Sequence, residues 1–248
     1  MKNKNYFQYI RWLIVCFICG LLLDFNNKSY AFNGDTHRYV TETSLENIAE
    51  ICSKINCFKI NDRDYWKIVS DYSLKPDEDE IEGAFKNHFY NPATETNFMG
   101  EKVSACTKCV DHYNKAIEYY RKNNKNMAYQ ELGRAIHFME DLNTPVHTGY
   151  DLPTDAIFKF PLHVRFEKIC DKIRKECRCV MSFESLKYFY ENDVVSLAKS
   201  SSLLSSDNFY YLNEEVLNPE LIAKNSVKNA QYNVTGILYK FFVRINNL

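Results

Sequence analysis

An all-α fold is predicted for this chain by three observations: few chain-breaking residues, apolar residues recurring at helical spacing, and sparse strand signals. The 248 residues include only 7 Gly and 6 Pro, too few for a turn-rich all-β architecture. Helical patterns run over 36–55, 104–123, 125–143, 161–176, 183–203 and 218–245. In 125–143, Tyr129, Leu132, Ala135, Ile136 and Met139 form an apolar stripe at intervals of three and four residues, so one face of that helix turns inward. The segments between the patterns are rich in Asn, Asp, Pro and Ser, as at Lys75-Pro76-Asp77, Asn91-Pro92 and Asn143-Thr144-Pro145, which end helices and start turns. No repeat, linker or low-complexity run interrupts the chain. One domain is therefore expected over residues 32–248, long enough for a sizeable core.

Residues 1–31 read as an export signal. Lys2, Lys4 and Arg11 give a positive start, Trp12 to Leu23 is an apolar run, and Ser29-Tyr30-Ala31 puts small residues where a signal peptidase cuts. The run is short for a membrane span, which needs about 20 residues, although an uncleaved anchor is the alternative. Cleavage after Ala31 leaves a chain beginning at Phe32, secreted or periplasmic. Seven cysteines follow the signal: Cys52, Cys57, Cys106, Cys109, Cys170, Cys177 and Cys179. In an oxidising compartment they read first as disulfides, with Cys52–Cys57 and Cys170 with Cys177 or Cys179 as local pairs, and an odd thiol left over. Cys106-x-x-Cys109 stands alone as a redox or zinc motif. The formal net charge of -1 and the lack of a dense Lys/Arg cluster give no hint of a polyanionic partner.

Six histidines are present: His37, His88, His112, His137, His147 and His163. Two of them have an acid four residues on, in the pairs His137/Asp141 and His163/Glu167. Four residues are one helical turn, so each pair projects from one face and offers half of a tetrahedral metal site. A single such pair is more often a solvated surface pair. Two pairs, with His147 returned toward the first by the turn at Asn143-Thr144-Pro145, are harder to dismiss.

The stretch Glu131-Leu132-Gly133-Arg134-Ala135-Ile136-His137-Phe138-Met139-Glu140-Asp141-Leu142-Asn143-Thr144-Pro145-Val146-His147 resembles the signature L-G-x-x-x-H-x-x-x-D-x-x-x-P-x-H of bacterial zinc-dependent phospholipases C, a family that includes the catalytic domain of clostridial alpha-toxin. His163-Val164-Arg165-Phe166-Glu167 resembles the family's H-x-x-[FY]-E element, and Phe85-Lys86-Asn87-His88-Phe89-Tyr90-Asn91-Pro92 its F-x-x-H-F-[YW]-D-P stretch. The resemblance is anchored over about 32–170. It implies a single multi-helix domain with three zinc ions. One would be held by Asp77, His88, His137 and Asp141. A second would take His37, a bridging Asp141, and the amine and carbonyl of Phe32, where the family normally has Trp. A third would take His147, His163 and Glu167. His112 is left over, as a structural or surface residue. The resemblance further implies hydrolysis of the glycerol-side phosphodiester of a phosphatidylcholine-like lipid by a zinc-activated water, with Asp77 orienting or deprotonating that water.

Substrate class follows from the same resemblance. The H-x-x-[FY]-E element favours the lipase branch over the single-strand nucleases that share the fold and show H-x-x-x-D there. Phe85 matches an aromatic that borders a choline pocket, whose cation suits aromatic faces. The aromatic that follows the aspartate ligand in the lipases is replaced by Glu78, a carboxylate that still attracts a cation. The expected partner is phospholipid at a membrane surface, with no nucleic acid, no obligate protein partner, and a monomer. The chain ends at Leu248, so no lipid-binding β-sandwich of the alpha-toxin type is expected within it. The alternatives are a single-strand nuclease on the same fold and a non-catalytic secreted zinc-binding helical protein.

Overall fold

A computed structural model of the protein describes residues 34–55, 63–79 and 85–247. The expected export signal over residues 1–31, Phe32 and Cys57 lie outside these residues. Eleven α-helices occur among the described residues: α1 (Gly34–Ile55), α2 (Trp66–Tyr72), α3 (Lys75–Glu78), α4 (Ala105–Arg121), α5 (Lys125–Leu142), α6 (Pro145–Thr148), α7 (Asp155–Phe158), α8 (Phe160–Ile173), α9 (Phe183–Glu191), α10 (Val194–Asn213) and α11 (Pro219–Asn246). Short 3₁₀ turns occupy Arg63–Tyr65, Phe85–His88 and Arg174–Glu176. The only strand-like feature among the described residues is one isolated bridge between Asn91 and Thr96. The predicted all-α class holds.

Five of the six predicted helices appear with ends shifted by a few residues. The sixth, 183–203, is two helices. Asn192 takes an extended conformation and Asp193 starts α10, its side chain accepting from the Ser196 amide at 2.7 Å, so a local cap outcompetes continuation of the helix. The short elements α2, α3, α6 and α7 carry too few residues to show a period.

Helix α5 is the centre of the molecule. Tyr129, Leu132, Ala135, Ile136 and Met139, the predicted stripe, are fully buried, and so are Ala128, Phe138 and Leu142. Truncating such a side chain to alanine costs about 2–5 kcal/mol. On one side α5 forms a hairpin with α4 through Lys122–Asn124. Asn123 there takes φ 58°, a left-handed conformation that Asn tolerates, and Asn124 caps α5 through the Met127 amide at 3.3 Å. On another side α5 packs on α2, and α11 lies against α1 and α8. Gly133 sets the α5–α2 approach: a Cβ there would meet the Val69 carbonyl oxygen at 2.6 Å and Tyr72 Cβ at 2.8 Å. Glycine at this position of the motif is thus a packing requirement. The buried apolar side chains from α1 to α11 form one continuous cluster, and no helix among the described residues is long and apolar enough to cross a membrane.

The disulfide expectation needs correction. Cys170, Cys177 and Cys179 are thiols, as are Cys106 and Cys109. Cys177 turns its Sγ back to the Ile173 carbonyl at 3.5 Å, and Cys170 is fully buried within α8. Burial pushes the Cys109 thiol well above its ordinary range, which disfavours the thiolate that a redox or zinc motif would need.

Candidate metal centre

The last two turns of α5 carry ionisable side chains into the interior. His137, Glu140 and Asp141 are all fully buried. His137 donates its Nδ1 proton to the Ser73 carbonyl at 2.8 Å, at the end of α2, which leaves the Nε2 lone pair pointing inward. Asp77 comes from α3, one residue after Pro76, with a side chain only 2 % exposed. His88 ends the 3₁₀ turn Phe85–His88 and is buried. Its carbonyl accepts from His147 Nδ1 at 2.9 Å, so α6 is fastened to that turn and His147 Nε2 is left with its lone pair.

Four of these groups converge. His88 Nδ1 lies 3.0 Å from His137 Nε2 and 3.0 Å from Asp141 Oδ2. His137 Nε2 lies 3.5 Å from both Asp141 Oδ2 and Asp77 Oδ1. Asp77 Oδ1 is 3.7 Å from His88 Nδ1. A tetrahedral ion with ligands at the usual zinc distances has donor-to-donor edges of about 3.4 Å, so five edges of one tetrahedron are present. Around it, His37 from the first turn of α1 stacks on His137 with centroids 4.3 Å apart and brings Nε2 to 3.8 Å from Asp77 Oδ2. On the other side His163 Nε2 meets Glu167 Oε1 at 2.6 Å along α8. Potential ligand atoms of His147, His163 and Glu167 lie within 4.8 Å of one another, and so do those of His37, Asp77 and His137.

The donor set fits divalent cations on electrostatic grounds. Asp77 and Asp141 are held well above the carboxylate range by burial, and Glu167 above it, because no Lys or Arg pairs with any of them among the described residues. His88, His137 and His147 are lowered by burial, and His37 is brought down to about 3 by burial and then by the charge of His88. The imidazoles are thereby neutral, with lone pairs available, and the carboxylates require positive charge that the protein does not supply. Both oxygens of Asp77, Oδ1 of Asp141 and Nε2 of His147 are buried without a hydrogen-bond partner. Polar atoms in that condition are rare in folded proteins and call for an ion or water.

Eight of the nine ligand positions read from the sequence fall in this cluster, and Phe32 lies outside the described residues. The resemblance puts His37 with Asp141 and Phe32; among the described residues Glu140 engages His37 Nδ1, and His37 Nε2 lies 3.8 Å from Asp77 Oδ2. Phe85 is half-buried and packs 6.2 Å from the His163 ring, on the border of the cluster. Glu78 is exposed and pairs with Lys75. His112 stands apart, bonded to Glu131 at 2.6 Å and stacked on Phe138. Sequence reasoning passes over Glu140, although the signal is present: an acid between His137 and Asp141 on a buried helical turn has no solvent to face.

Residues 28–225 match the family described as zinc dependent phospholipase C. The chain is 23% identical to the phospholipase C of Clostridium haemolyticum over 94% of its own length and 67% of that protein's. It is 24% identical to the phospholipase C of Paraclostridium bifermentans, covering 94% of this chain and 66% of the relative. Among solved structures, the alpha toxin of Clostridium absonum superposes with a TM-score of 0.71 at 22% identity, covering 86% of this chain and 64% of the toxin. The alpha-toxin of Clostridium perfringens gives 0.66 at 19% identity, with the same coverage of 86% and 64%. The chain spans about two thirds of the length of these relatives, and the structural likeness carries the fold.

Proposed function

The chain belongs to the zinc-dependent phospholipase C family, and on that footing we propose that it is a zinc metallohydrolase cleaving the glycerol-side phosphodiester of phosphatidylcholine-like lipids. Diacylglycerol and a phosphorylated headgroup are the products. The observation that carries the reading is the set of donor-to-donor distances of 3.0–3.7 Å among Asp77, His88, His137 and Asp141. Three zinc ions are proposed, with His147, His163 and Glu167 as a second ligand group. The third group is His37 with the Phe32 amine, in a mature protein that begins after signal cleavage and comprises residues 32–248. Bound zinc supplies Lewis acidity and a water acidic enough to react near neutral pH.

The chain's own residues do the rest. The Ser73 and His88 carbonyls fix the His137 and His147 tautomers, so the lone pairs that face the cluster are set before any ligand arrives. Asp77 Oδ2, which the four-donor set leaves over and which has no hydrogen-bond partner, is proposed to orient or take the proton of the attacking water. Phe85, beside the His163 ring, is proposed to border the headgroup with an aromatic face, and Glu78 would have to leave its Lys75 partner to meet a cation. The site of action is a phospholipid surface outside the cytoplasm, met by a monomer.

The test offers the processed, zinc-loaded protein phosphatidylcholine, other phospholipids and single-stranded DNA side by side, with a chelator arm. Release of phosphocholine that stops with chelator and returns with zinc supports the reading. Cleavage of DNA without lipid hydrolysis assigns the protein to the nuclease alternative. Zinc uptake with no cleavage of either leaves a non-catalytic zinc protein.

A further inference from the structure

Glu140 is the one carboxylate at the cluster that the proposed ligand sets leave unused. It is fully buried, and it follows His137 by three residues and precedes Asp141 on the same turn of α5. Both its oxygens are occupied. Oε2 engages His37 Nδ1, and Oε1 accepts from Thr41 Oγ1 at 3.0 Å. His37 and Thr41 stand one turn apart on α1, so Glu140 ties the inward face of α1 to the helix that bears His137 and Asp141. No Lys or Arg pairs with Glu140 among the described residues. A lone buried carboxylate of this kind destabilises a fold unless it serves the neighbouring groups.

We infer that Glu140 is a positioning residue that holds His37 for metal binding, by accepting its Nδ1 proton and presenting Nε2 to the cluster. With cations bound at the cluster Glu140 would be ionised and only accept, placing the proton on His37 Nδ1 and the lone pair on Nε2, the nitrogen that faces Asp77. The ring is then held on two sides, by Glu140 at its edge and by the stacked His137 ring at 4.3 Å on its face. His137 and His147 have their Nδ1 protons held by neutral backbone carbonyls. His37 alone of these three is held by a full negative charge, which raises ligand basicity and adds a fourth carboxylate to the charge that the cations balance. Thr41 occupies the other oxygen, a contact that ties α1 to α5 without touching the His37 ring.

This inference rests on the metal reading above, and its test separates the two. Zinc content and affinity are measured by competition against a chromophoric chelator for the wild type, Glu140→Gln, Glu140→Ala and Thr41→Val. Circular dichroism and thermal melts of the zinc-free forms report folding. Glu140→Gln keeps the shape and one acceptor oxygen. It is expected to fold and to weaken one zinc by about 10-fold, and Glu140→Ala by up to about 100-fold, the range seen when outer-shell partners of metal ligands are removed. The remaining zincs keep wild-type affinity. Thr41→Val is expected to lose thermal stability while every zinc stays within about 3-fold of wild type. Folded Glu140 variants that bind all zinc as the wild type does overturn the inference and leave the metal reading standing. A Thr41→Val loss as large as that of Glu140→Gln overturns it too, because tethering α1 would then be the whole role. A wild type that takes up no zinc ends both. If Glu140→Ala does not fold, Glu140→Gln and Thr41→Val decide.

Discussion

Stripping the metal with a chelator should destabilise the folded protein strongly, and more so at pH 8.5 than at pH 6.5. Asp77, Glu140, Asp141 and Glu167 are buried, and no Lys or Arg pairs with them among the described residues, so a cation-free cluster keeps them only by taking up protons or by opening. An ion present at 100 times its dissociation constant contributes about 2.7 kcal/mol, and three such ions about 8 kcal/mol. A domain of this size loses about 2–4 °C per kcal/mol, so chelation should lower Tm by roughly 15–30 °C. The pH arm follows from the direction of the shifts. The four carboxylates are raised in the folded state, so without metal the folded chain holds protons that the unfolded chain releases above its ordinary values of 3.8 and 4.5. Their contribution is full below those values and is lost as pH rises through the raised range. The histidines act oppositely. His37, brought down to about 3 from 6.5, contributes stability above 6.5 that is lost as pH falls toward 3. Above pH 6.5 the imidazole contribution is complete, and the zinc-free protein weakens with rising pH until the raised carboxylate range is passed, the buried thiols adding to the loss as pH nears the free thiol range. In the loaded protein cations stand where those protons would be, and its Tm stays flat over the same range. Calorimetry of loaded and chelated protein at pH 6.5, 7.5 and 8.5 measures the gap directly. A chelator effect under about 3 °C, or a gap that narrows as pH rises, would refute the reasoning that buried negative charge is what the metal compensates.

Three further outcomes are expected. Asp77→Asn should lower kcat at saturating zinc by about 10²- to 10⁴-fold, as loss of a proton-holding group does, while the fold persists; a loss below 10-fold would remove Asp77 from the chemistry. Gly133→Ala forces a Cβ to within 2.6 Å of the Val69 carbonyl. It should cost about 1–3 kcal/mol and reduce zinc affinity by moving the Ser73 carbonyl off His137, both readable from melts and chelator competition, and an unchanged melt would show that α2 yields without strain. One residue added before Phe32 should lose one zinc per chain and most activity, measured by metal analysis and lipid hydrolysis. Full activity of the extended protein would exclude the terminal amine as a ligand.

What the sequence makes legible has a physical pattern. A helix long enough to show its period discloses which residues share a face, so the α5 stripe, the His137/Asp141 pair and the His163/Glu167 pair are all readable from residue spacing alone. Elements of four residues have no period. The position of Asp77 on α3 and of His88 on a 3₁₀ turn therefore comes from resemblance to a family motif. The break at Asn192–Asp193 escapes notice because an Asp–Ser cap is a local preference that apolar spacing does not report. Backbone groups are invisible altogether: the Ser73 and His88 carbonyls that orient His137 and His147 could be any residue's carbonyl. Cysteine count suggests bridges, but bridging depends on where each Sγ points, and Cys177 points back at the last residue of α8.

The arrangement of charge separates this cluster from a set of structural histidines. A histidine used only for packing needs one partner, and His112 shows the pattern: buried, bonded to Glu131 and stacked on Phe138. At the α5 centre His137, His147 and His37 each have one nitrogen engaged outward or along the ring edge, by Ser73, His88 or Glu140, and the other faces a cluster whose carboxylate oxygens include three without a donor. Burying Asp77, Asp141, Glu140 and Glu167 in one interior is unfavourable by several kcal/mol per charge when nothing neutralises them. An apolar filling of the same volume would give a more stable bundle. The sequence instead devotes the best-buried turns of its central helix to ligands, and fixes their tautomers with groups that bind nothing themselves. That division between inward lone pairs and outward holders is what a preassembled cation site requires, and a merely well-packed helical core has no use for it.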